Sequence, residues 1–293
     1  MSSGINSSTM LMGLLGHPVG HSRSPFIHNS LSEHFGKDMV YLCFDVEPDE
    51  LAYAVRGGLA LGVKGFNVTV PHKQDVRLFL SGEDGDAKLV GAVNTLKRTE
   101  DGWYGYNTDL YGFMSALRSD GIDLKGKNVV VLGAGGASRA IICAVLKSSA
   151  RKLVIFNRTY EKAKALADEF GDAYKDTEIT AFATDAALIA AMENDGSGWI
   201  AVNTTSLGMY PKTGEKLVND KKFYELCDTG IDIIFNPART AFMEAIEAGK
   251  EGNHAYNGLK MLVYQGVRSY EIWNDVSVPD EVVKDIYMKM KDM

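Results

Sequence analysis

Residues 129–140 read VVVLGAGGASRA, and this stretch constrains the fold more than any other part of the chain. An apolar run, typical of a strand buried in a parallel sheet, passes directly into Gly133, Gly135 and Gly136, and a helical pattern follows at once. Gly133 would permit a tight turn, and Gly135 would let a pyrophosphate approach the amides at the positive end of the helix. Ser138 stands where the dinucleotide fingerprint has Gly or Ala, so the match is incomplete. The arrangement favours a dinucleotide-binding βαβ unit over an ordinary strand, turn and helix.

The end of the next predicted strand bears on which dinucleotide would bind. That strand, KLVIFN, ends at Asn157 and is followed by Arg158 and Thr159, with no carboxylate at its tip. NAD-selective sites place an Asp or Glu there for the ribose 2′-hydroxyl, whereas a guanidinium suits a 2′-phosphate. Arg158 could also be an ordinary solvated arginine. Following a phosphate-binding turn, it favours NADP, with NAD as the alternative.

Short apolar runs alternate with helical patterns along the whole chain. Strands are predicted at residues 10–16, 40–46 and 65–70, with a helix beginning at Ser24 as N-cap between the first two. This β-α-β-α-β order favours a parallel sheet covered by helices. A second strand–helix series starts at residue 127, and a domain boundary is expected between residues 110 and 126. The predicted fold class is α/β, with an N-terminal α/β domain and a Rossmann-type doubly wound domain.

Composition narrows the functional classes. The chain has 293 residues and a formal net charge of −7 without any Lys/Arg run, which argues against nucleic acid as a partner. No run approaches the ~18 apolar residues of a membrane span. The N-terminus lacks the basic region of a signal peptide, and residues 1–9 are expected to form a flexible tail. The three cysteines include no CxxC pair, so we expect buried thiols in a reducing compartment, no metal site and a cytoplasmic protein.

A set of polar side chains follows the predicted strands of the N-terminal domain. In GFNVTVPHK, Asn67 and Thr69 share one strand face, and Lys73 lies just beyond the strand end, where α/β sheets place ligands. Asn94 lies in GAVNT and Asp109 in GYNTD. Such amides, hydroxyls, one amine and one carboxylate suit a polyhydroxylated ligand, and a Lys–Asp pair could exchange a proton with a carbonyl or alcohol. Singly, Asp109 could be a helix N-cap, Asn94 a turn residue and Lys73 a solvated lysine.

Taken together, these motifs resemble the shikimate dehydrogenase family over about residues 11 to 290. The resemblance is carried, in this order and spacing, by HSRSP, NVTVPHK, GAVNT, GYNTD, GAGGASRA, NRT, NTTSLGM and GLKMLVYQ. It implies reversible NADPH-dependent reduction of 3-dehydroshikimate to shikimate, in aromatic amino acid biosynthesis, by a monomer or homodimer. It also implies a substrate-binding domain at residues 1–110, with residues 259–293 packing back on it, and an NADP-binding domain at residues 111–258.

The resemblance also implies roles for individual residues. Lys73 and Asp109 would be the catalytic pair. Substrate would be bound by Ser22, Ser24, Asn67, Thr69, Asn94, Asp109 and Gln265. The cofactor would be bound by Gly133, Ala134, Gly135, Gly136, Ala137, Asn157, Arg158, Thr159, Thr205, Ser206, Gly208, Met209, Phe235 and Met261. The family often carries Tyr in a D-x-x-Y pattern, whereas Phe235 follows Asp232 here and cannot supply that hydroxyl.

Other interpretations stay open at this point. Quinate/shikimate dehydrogenases share nearly all of these motifs, and some use NAD. A catalytically silent metabolite sensor would keep the pocket but should lose Lys73 or Asp109. A methyltransferase would want an acidic residue where Asn157 stands. A glutamyl-tRNA reductase-like protein would need a nucleophilic cysteine in the first domain, where Cys43 lies within an apolar strand.

Overall fold

The structure is a computed structural model and describes residues 4–293. Contacts divide the chain into two compact units. The first unit runs up to Phe113 and takes up the chain again at Leu262–Met293, and the second unit is Met114–Met261. Each unit contains a six-stranded sheet. The fold class expected from the sequence, a mixed α/β chain with a Rossmann-type domain, is confirmed.

The first ten elements run from Met10 to Asp120. They are β1 (Met10–Gly16), α1 (Ser24–His34), β2 (Met39–Asp45), α2 (Leu51–Ala60), β3 (Gly65–Val68), β4 (Gly82–Glu83), α3 (Gly85–Val90), β5 (Thr95–Thr99), β6 (Gly102–Tyr106) and α4 (Thr108–Asp120). The sheet order is β2-β1-β3-β5-β6-β4. Strand β1 pairs in parallel with β2 and β3, whereas β5 runs antiparallel to β3 and β6. The sheet of the first unit is therefore mixed rather than wholly parallel.

This mixed topology brings distant parts of the sequence to one edge of the sheet. Strands β1, β3 and β6 all end at that edge, and the antiparallel strand β5 begins there. Thr95 pairs with Asn67 on one side and with Tyr106 on the other. Asn94 and Thr95 thus stand at the start of β5, not at the end of a strand. Because the loops after β3 and β6 leave the same edge, side chains from both can meet there.

The remaining elements begin at Asn128. They are β7 (Asn128–Leu132), α5 (Gly136–Lys147), β8 (Lys152–Phe156), α6 (Tyr160–Ala173), β9 (Glu178–Phe182), α7 (Asp185–Asn194), β10 (Trp199–Asn203), α8 (Lys221–Leu226), β11 (Cys227–Asp232), α9 (Ala241–Gly249), β12 (His254–Tyr256), α10 (Leu259–Asn274) and α11 (Asp280–Lys291). The sheet order is β12-β11-β10-β7-β8-β9, with every pair parallel. This is the doubly wound Rossmann order, and the strand order reverses between β7 and β10.

The sheet of the second unit is buried on both faces at its centre. Every residue of β7 and of β10 is buried, as expected for central strands covered by helices on two sides. The core of this unit includes Val130, Val154 and Trp199. The first unit has its own core around Phe66, Leu96 and Trp103. Each sheet therefore packs on its own hydrophobic core, which fixes the positions of the polar residues at its strand ends.

Two local expectations are corrected. Arg23, not Ser24, is the N-cap of α1, and Ser24 is the first helical residue. Strand β3 ends at Val68, so Thr69 and Val70 lie beyond it. The chain turns there because the amide of His72 donates to the carbonyl of Thr69 over 2.9 Å.

The expected N-terminal tail is held from Ser8 onward. The hydroxyls of Ser8 and Thr9 donate to the carboxylate of Asp38, over 3.1 and 2.7 Å. Residues 1–3 of the predicted tail lie outside the described residues.

Within residues 4–293, none of the helices has the length and apolarity that crossing a bilayer requires. The three cysteines are free, with Cys143 and Cys227 buried and Cys43 half-buried. Across the same residues, no group of three His, Cys, Asp or Glu side chains is placed to hold a metal ion.

Candidate active site

Lys73 and Asp109 form a largely buried ion pair at the shared edge of the first sheet. Lys73 comes from the loop after β3, and Asp109 lies in the first turn of α4, directly after β6. The Nζ atom of Lys73 lies 2.6 Å from Oδ2 of Asp109, and the two side chains are only 14% and 8% exposed. Residues separated by 36 positions thus meet because their strands end at one edge. The interpretation of Lys73 as a solvated surface lysine is excluded.

Asn94 fixes the orientation of the Asp109 carboxylate. Its Nδ2 atom donates to Oδ1 of Asp109 over 2.9 Å, and its Oδ1 atom accepts from the backbone amide of Thr108 over 2.7 Å. The first turn of α4 is capped by another residue, because Oδ1 of Asn107 accepts from the amide of Leu110. Asp109 is consequently not the capping residue of this helix. Both of its oxygens point to side-chain donors, Lys73 and Asn94.

Gln265 is linked to this pair through Asn94, whereas Ser22 and Ser24 form a separate hydroxyl pair. Oε1 of Gln265 is 3.4 Å from Nδ2 of Asn94, which brings helix α10 to the same edge of the sheet. The hydroxyl of Ser22 donates to that of Ser24 over 3.2 Å. Gln265 of α10 and Asn94, just before β5, are therefore joined through side chains, whereas Ser22 and Ser24 pair with each other.

Asn67 is the centre of this network rather than an open ligand group. Its Oδ1 atom accepts from the hydroxyl of Tyr41 over 2.8 Å and from Nε2 of His28 over 3.0 Å. Its Nδ2 atom donates towards the carbonyl of Asn94 and the hydroxyls of Thr95 and Ser269. The amide is thus committed on both sides, and its orientation follows from its partners.

The histidine and tyrosine behind Asn67 are held neutral. Burial lowers the pKa of His28 to about 3, against a weaker opposite effect of its hydrogen bond to Asn67. Burial raises the pKa of Tyr41 well above its ordinary value. Their rings stack with centroids 4.2 Å apart. Because neither group titrates near neutral pH, both serve as fixed donors to Asn67.

Three buried hydroxyls complete the support behind Asn94. Thr95 and Ser269 lie 2.8 Å apart, and Thr108 and Ser269 lie 3.1 Å apart. Ser269 was not anticipated from the sequence. It follows Gln265 by four positions on α10, and this spacing places both residues on one helical face. Thr69, which the sequence grouped with Asn67, packs its methyl group against Gly16, and within residues 4–293 its hydroxyl does not join the network.

The glycine-rich turn of the second unit is tightly packed at Gly133 and open at Gly135 and Gly136. Gly133 adopts φ +114°, and a Cβ there would lie 2.6 Å from Oγ1 of Thr204. A Cβ built at Gly135 or Gly136 would meet nothing within 4 Å, so there is open space before the first turn of α5. Ser138, the imperfect fingerprint position, is buried and donates to the carbonyl of Gly135 over 2.5 Å. A serine therefore fits this position by closing the turn internally. The flanking residues Ala134 and Ala137 are both half-buried at this turn.

The residues after β8 lie at the edge of the second sheet where the glycine-rich turn also lies, and two of them are exposed. The Nδ2 atom of Asn157 donates to the carbonyl of Thr159 over 2.9 Å, which shapes the turn. Arg158 and Thr159 are exposed, and in the described part of the chain Arg158 makes no ion pair. An exposed guanidinium beside a glycine-rich turn could pair with a phosphorylated ribose.

The other residues predicted to contact a cofactor lie on the far side of the strand-order reversal. Thr205, Ser206, Gly208 and Met209 form the segment after β10. Phe235 follows β11 and is half-buried. Met261, in the first turn of α10, is half-buried as well.

Three protein-family models match the chain. Residues 14–96 match the shikimate dehydrogenase substrate binding domain, residues 115–193 match shikimate / quinate 5-dehydrogenase, and residues 258–286 match the shikimate 5′-dehydrogenase C-terminal domain. The matches cover the ends of β1 and β3, the start of β5, the glycine-rich turn and helix α10.

Individual relatives match over nearly the whole chain. The shikimate dehydrogenase (NADP+) of Methanococcus aeolicus is 40% identical over 281 residues, which cover 96% of this chain and 98% of the relative. A crystal structure of a shikimate dehydrogenase in complex with NADP+ has a TM-score of 0.86 at 38% identity, covering 99% and 98% of the two chains. A shikimate 5-dehydrogenase from Listeria monocytogenes, solved with shikimate and NAD, has a TM-score of 0.85 at 32% identity, covering 98% and 99%.

Proposed function

The chain belongs to the shikimate dehydrogenase family, and from that premise we propose that it reversibly reduces 3-dehydroshikimate to shikimate with NADPH. The observation that carries this proposal is the largely buried Lys73–Asp109 pair, 2.6 Å apart and oriented by Asn94. An amine and a carboxylate held in this way form the acid–base group that a carbonyl–alcohol interconversion requires. The enzyme is then an oxidoreductase acting on a CH–OH group.

The chain's own residues account for the proton. In the reducing direction, the ammonium of Lys73 would donate a proton to the carbonyl oxygen as the carbonyl becomes an alcohol. The Asp109 carboxylate orients that ammonium, and it still accepts a hydrogen bond from the amine that remains after transfer. In the oxidising direction the same amine takes the hydroxyl proton back. Asn94 holds Asp109 in position through both steps.

The substrate groups are assigned to polar side chains of the first unit. We assign Ser22, Ser24, Thr69, Asn94, Asp109 and Gln265 to the ring hydroxyls and carboxylate. Asn67 stays in the predicted set, although its amide is already committed to protein groups. Its contribution is then mainly to hold Asn94 and the start of β5. The first unit is accordingly the substrate-binding domain of this proposal.

The second unit is proposed to bind the cofactor, which supplies the hydride when bound. Gly133, Gly135 and Gly136 would hold the pyrophosphate, with Ala134 and Ala137 beside them. Asn157, Arg158 and Thr159 would hold the 2′-phosphorylated ribose. The segment from Thr205 to Met209, together with Phe235 and Met261, would contact the nicotinamide side. The open space at the start of α5 and the exposed Arg158 support this assignment.

A second candidate function is oxidation of quinate, or use of NAD in place of NADP. It is favoured by the match of residues 115–193 to the shikimate / quinate 5-dehydrogenase model and by the Listeria neighbour that holds NAD. Phe235 in place of the family's frequent Tyr removes a hydroxyl that could discriminate between the substrates. We further propose a cytoplasmic enzyme that acts as a monomer or homodimer.

Four initial rates test these assignments together. Nicotinamide absorbance is followed with shikimate and with quinate, each against NADP and against NAD, at matched concentrations. We expect the shikimate–NADP rate to exceed the other three by at least tenfold in kcat/KM. A quinate or NAD rate of equal size would replace the proposal by the second candidate. Absence of all four rates, with shikimate still bound, would favour a silent sensor instead.

A further inference from the structure

Asp232 is a fully buried carboxylate that has no role in the reaction proposed above. It ends strand β11, it is 0% exposed, and no cation pairs with it anywhere in residues 4–293. Three donors surround it instead. Its Oδ1 atom accepts from Nδ2 of Asn203 and from the amide of Ile234, each over 3.0 Å, and its Oδ2 atom accepts from the hydroxyl of Thr240 over 2.7 Å.

The first of these bonds continues into the segment after β10. Because Nδ2 of Asn203 faces Asp232, its Oδ1 atom faces the other way and accepts from the amide and the hydroxyl of Thr205, over 3.1 and 2.8 Å. The Thr205 hydroxyl then accepts from the amide of Leu207 over 3.2 Å. A chain of hydrogen bonds thus runs from the Asp232 carboxylate to the backbone of Leu207.

The bond to Thr240 reaches the same segment from another direction. Thr240 is the N-cap of α9, and its hydroxyl accepts from the amide of Met243. Gly208 adopts φ +106°, and a Cβ there would lie 3.2 Å from Cβ of Thr240. The backbone of Gly208 therefore packs against Thr240, and the hydrogen bond to Asp232 holds Thr240 in place.

The opposite side of the segment lies against the glycine-rich turn. The amide and hydroxyl of Thr204 both donate to the carbonyl of Leu132, over 2.9 and 2.8 Å. Gly133 has no room for a side chain because Thr204 and Thr205 fill that space. Residues 203–209 are thus held between the end of β7 and the end of β11.

We propose that Asp232 is a positioning residue that sets the conformation of residues 203–209 and thereby the affinity of the enzyme for its nicotinamide cofactor. This proposal rests on the proposed function, which assigns that segment to the nicotinamide side. Asp232 itself touches neither substrate nor cofactor in this account. Its effect passes through Asn203 and Thr240.

Hydrogen bonding, rather than negative charge, is the property that matters in this proposal. In Asp232→Asn, Oδ1 can still accept from Asn203 and Ile234, while the new Nδ2 donates to the Thr240 hydroxyl, which rotates to accept. In Asp232→Ala, all three donors lose their partner, and Asn203 loses the group that fixes its amide orientation. The asparagine variant should therefore rescue what the alanine variant loses.

The test compares Asp232→Ala and Asp232→Asn with the parent enzyme. For each protein we would measure the dissociation constant for NADPH by nucleotide fluorescence, the KM values for NADP and shikimate, and kcat. We expect the alanine variant to bind NADPH at least tenfold more weakly and to show a lowered kcat, with the KM for shikimate within about twofold. The asparagine variant should stay within about threefold of the parent in every constant. Asp228→Ala, which removes an exposed carboxylate on the same strand, is the matched control and should change nothing.

The outcomes separate the proposal from its premise. A folded alanine variant with unchanged NADPH affinity would overturn it, and so would an asparagine variant as weak as the alanine one. If the alanine variant does not fold, Thr240→Val decides, because it removes one donor and should weaken NADPH binding at least threefold. The fluorescence titration needs no turnover. A parent that binds NADPH but does not oxidise shikimate would therefore refute the proposed function while leaving the role of Asp232 testable.

Discussion

Replacing Asn94 by aspartate tests how the carboxylate of Asp109, to which we assign a catalytic role, is held. The substitution keeps the shape of the side chain but places an oxygen where the amide nitrogen now donates to Oδ1 of Asp109, 2.9 Å away. Both residues are buried. With an effective dielectric constant of about 20, two negative charges at that distance repel by roughly 6 kcal/mol. Retaining one proton between the two carboxyls relieves this repulsion at moderate pH.

The retained proton restores the original hydrogen bond. The protonated carboxyl introduced by Asn94→Asp can donate to Asp109 as the amide does, so the variant should work best where that proton is kept. As pH rises the proton is lost, and with it a hydrogen bond to a charged group that contributes about 1.5–3 kcal/mol. We therefore expect kcat/KM of the Asn94→Asp variant to lie about 10- to 100-fold below the parent near pH 8.5 and within several-fold of it near pH 6, by conversion of that free energy.

The assay is the ratio of variant to parent kcat/KM for shikimate oxidation across that pH range. Asn94→Ala is the matched control, since it loses the donor without gaining a titratable group, and its ratio should be low and independent of pH. The reasoning is refuted if the aspartate ratio is the same at both ends of the range. It is equally refuted if the alanine variant recovers at low pH.

Three further predictions follow from the supporting structure. Ser269→Ala removes a buried hydroxyl that serves Asn67, and it should lower the free energy of unfolding in urea by about 1–3 kcal/mol; an unchanged midpoint would contradict this. Gly133→Ala should destabilise the protein by about 2 kcal/mol or more because of its positive φ, as measured by thermal melting. Gly135→Ala should leave the stability unchanged and raise the KM for NADP, because the added methyl group obstructs the phosphate. Thermal melts and initial rates therefore separate the two effects. Burial raises the pKa of Asp232 from 3.8 to about 6, so its stabilising contribution is full below about pH 3.8 and is lost as pH rises through 6. Relative to Asp232→Asn, the parent's free energy of unfolding should fall by about 1 kcal/mol from pH 5 to pH 7.5, and a rise would contradict the assigned sign.

The sequence pattern predicted the central strands and the Rossmann order but not the short elements at the sheet edges. Strands β1 and β7 carry apolar runs that end at Gly16 and just before Gly133, so their positions follow from the apolar pattern alone. Strand β4 has only two residues, which are too few to show the alternation of apolar and polar residues that predicts a strand. Helix α7 is apolar at most positions and lacks the polar face by which a helix is recognised.

The candidate site was predictable to the extent that its residues follow strand ends. Lys73 and Asp109 could be paired because each comes directly after a predicted strand. Ser269 could not, since a single serine within an amphipathic helix gives no sign of its hydrogen-bond partners. The hydrogen bonds that the Asn67 amide makes could not be predicted from the sequence either, because its partners His28 and Tyr41 come from other elements. Hydrogen-bond satisfaction across elements is a property of the folded chain.

The role of Lys73 is the claim on which the proposed reaction depends, and one variant tests it directly. In Lys73→Ala, we would measure kcat for shikimate oxidation together with the dissociation constant for shikimate. Loss of the proton-transfer group should lower kcat by about 10²- to 10⁴-fold, while shikimate affinity changes only a few-fold because the hydroxyl and amide contacts remain. A variant that turns over at the parent rate would show that the ion pair of Lys73 and Asp109 is structural and that the proton comes from elsewhere.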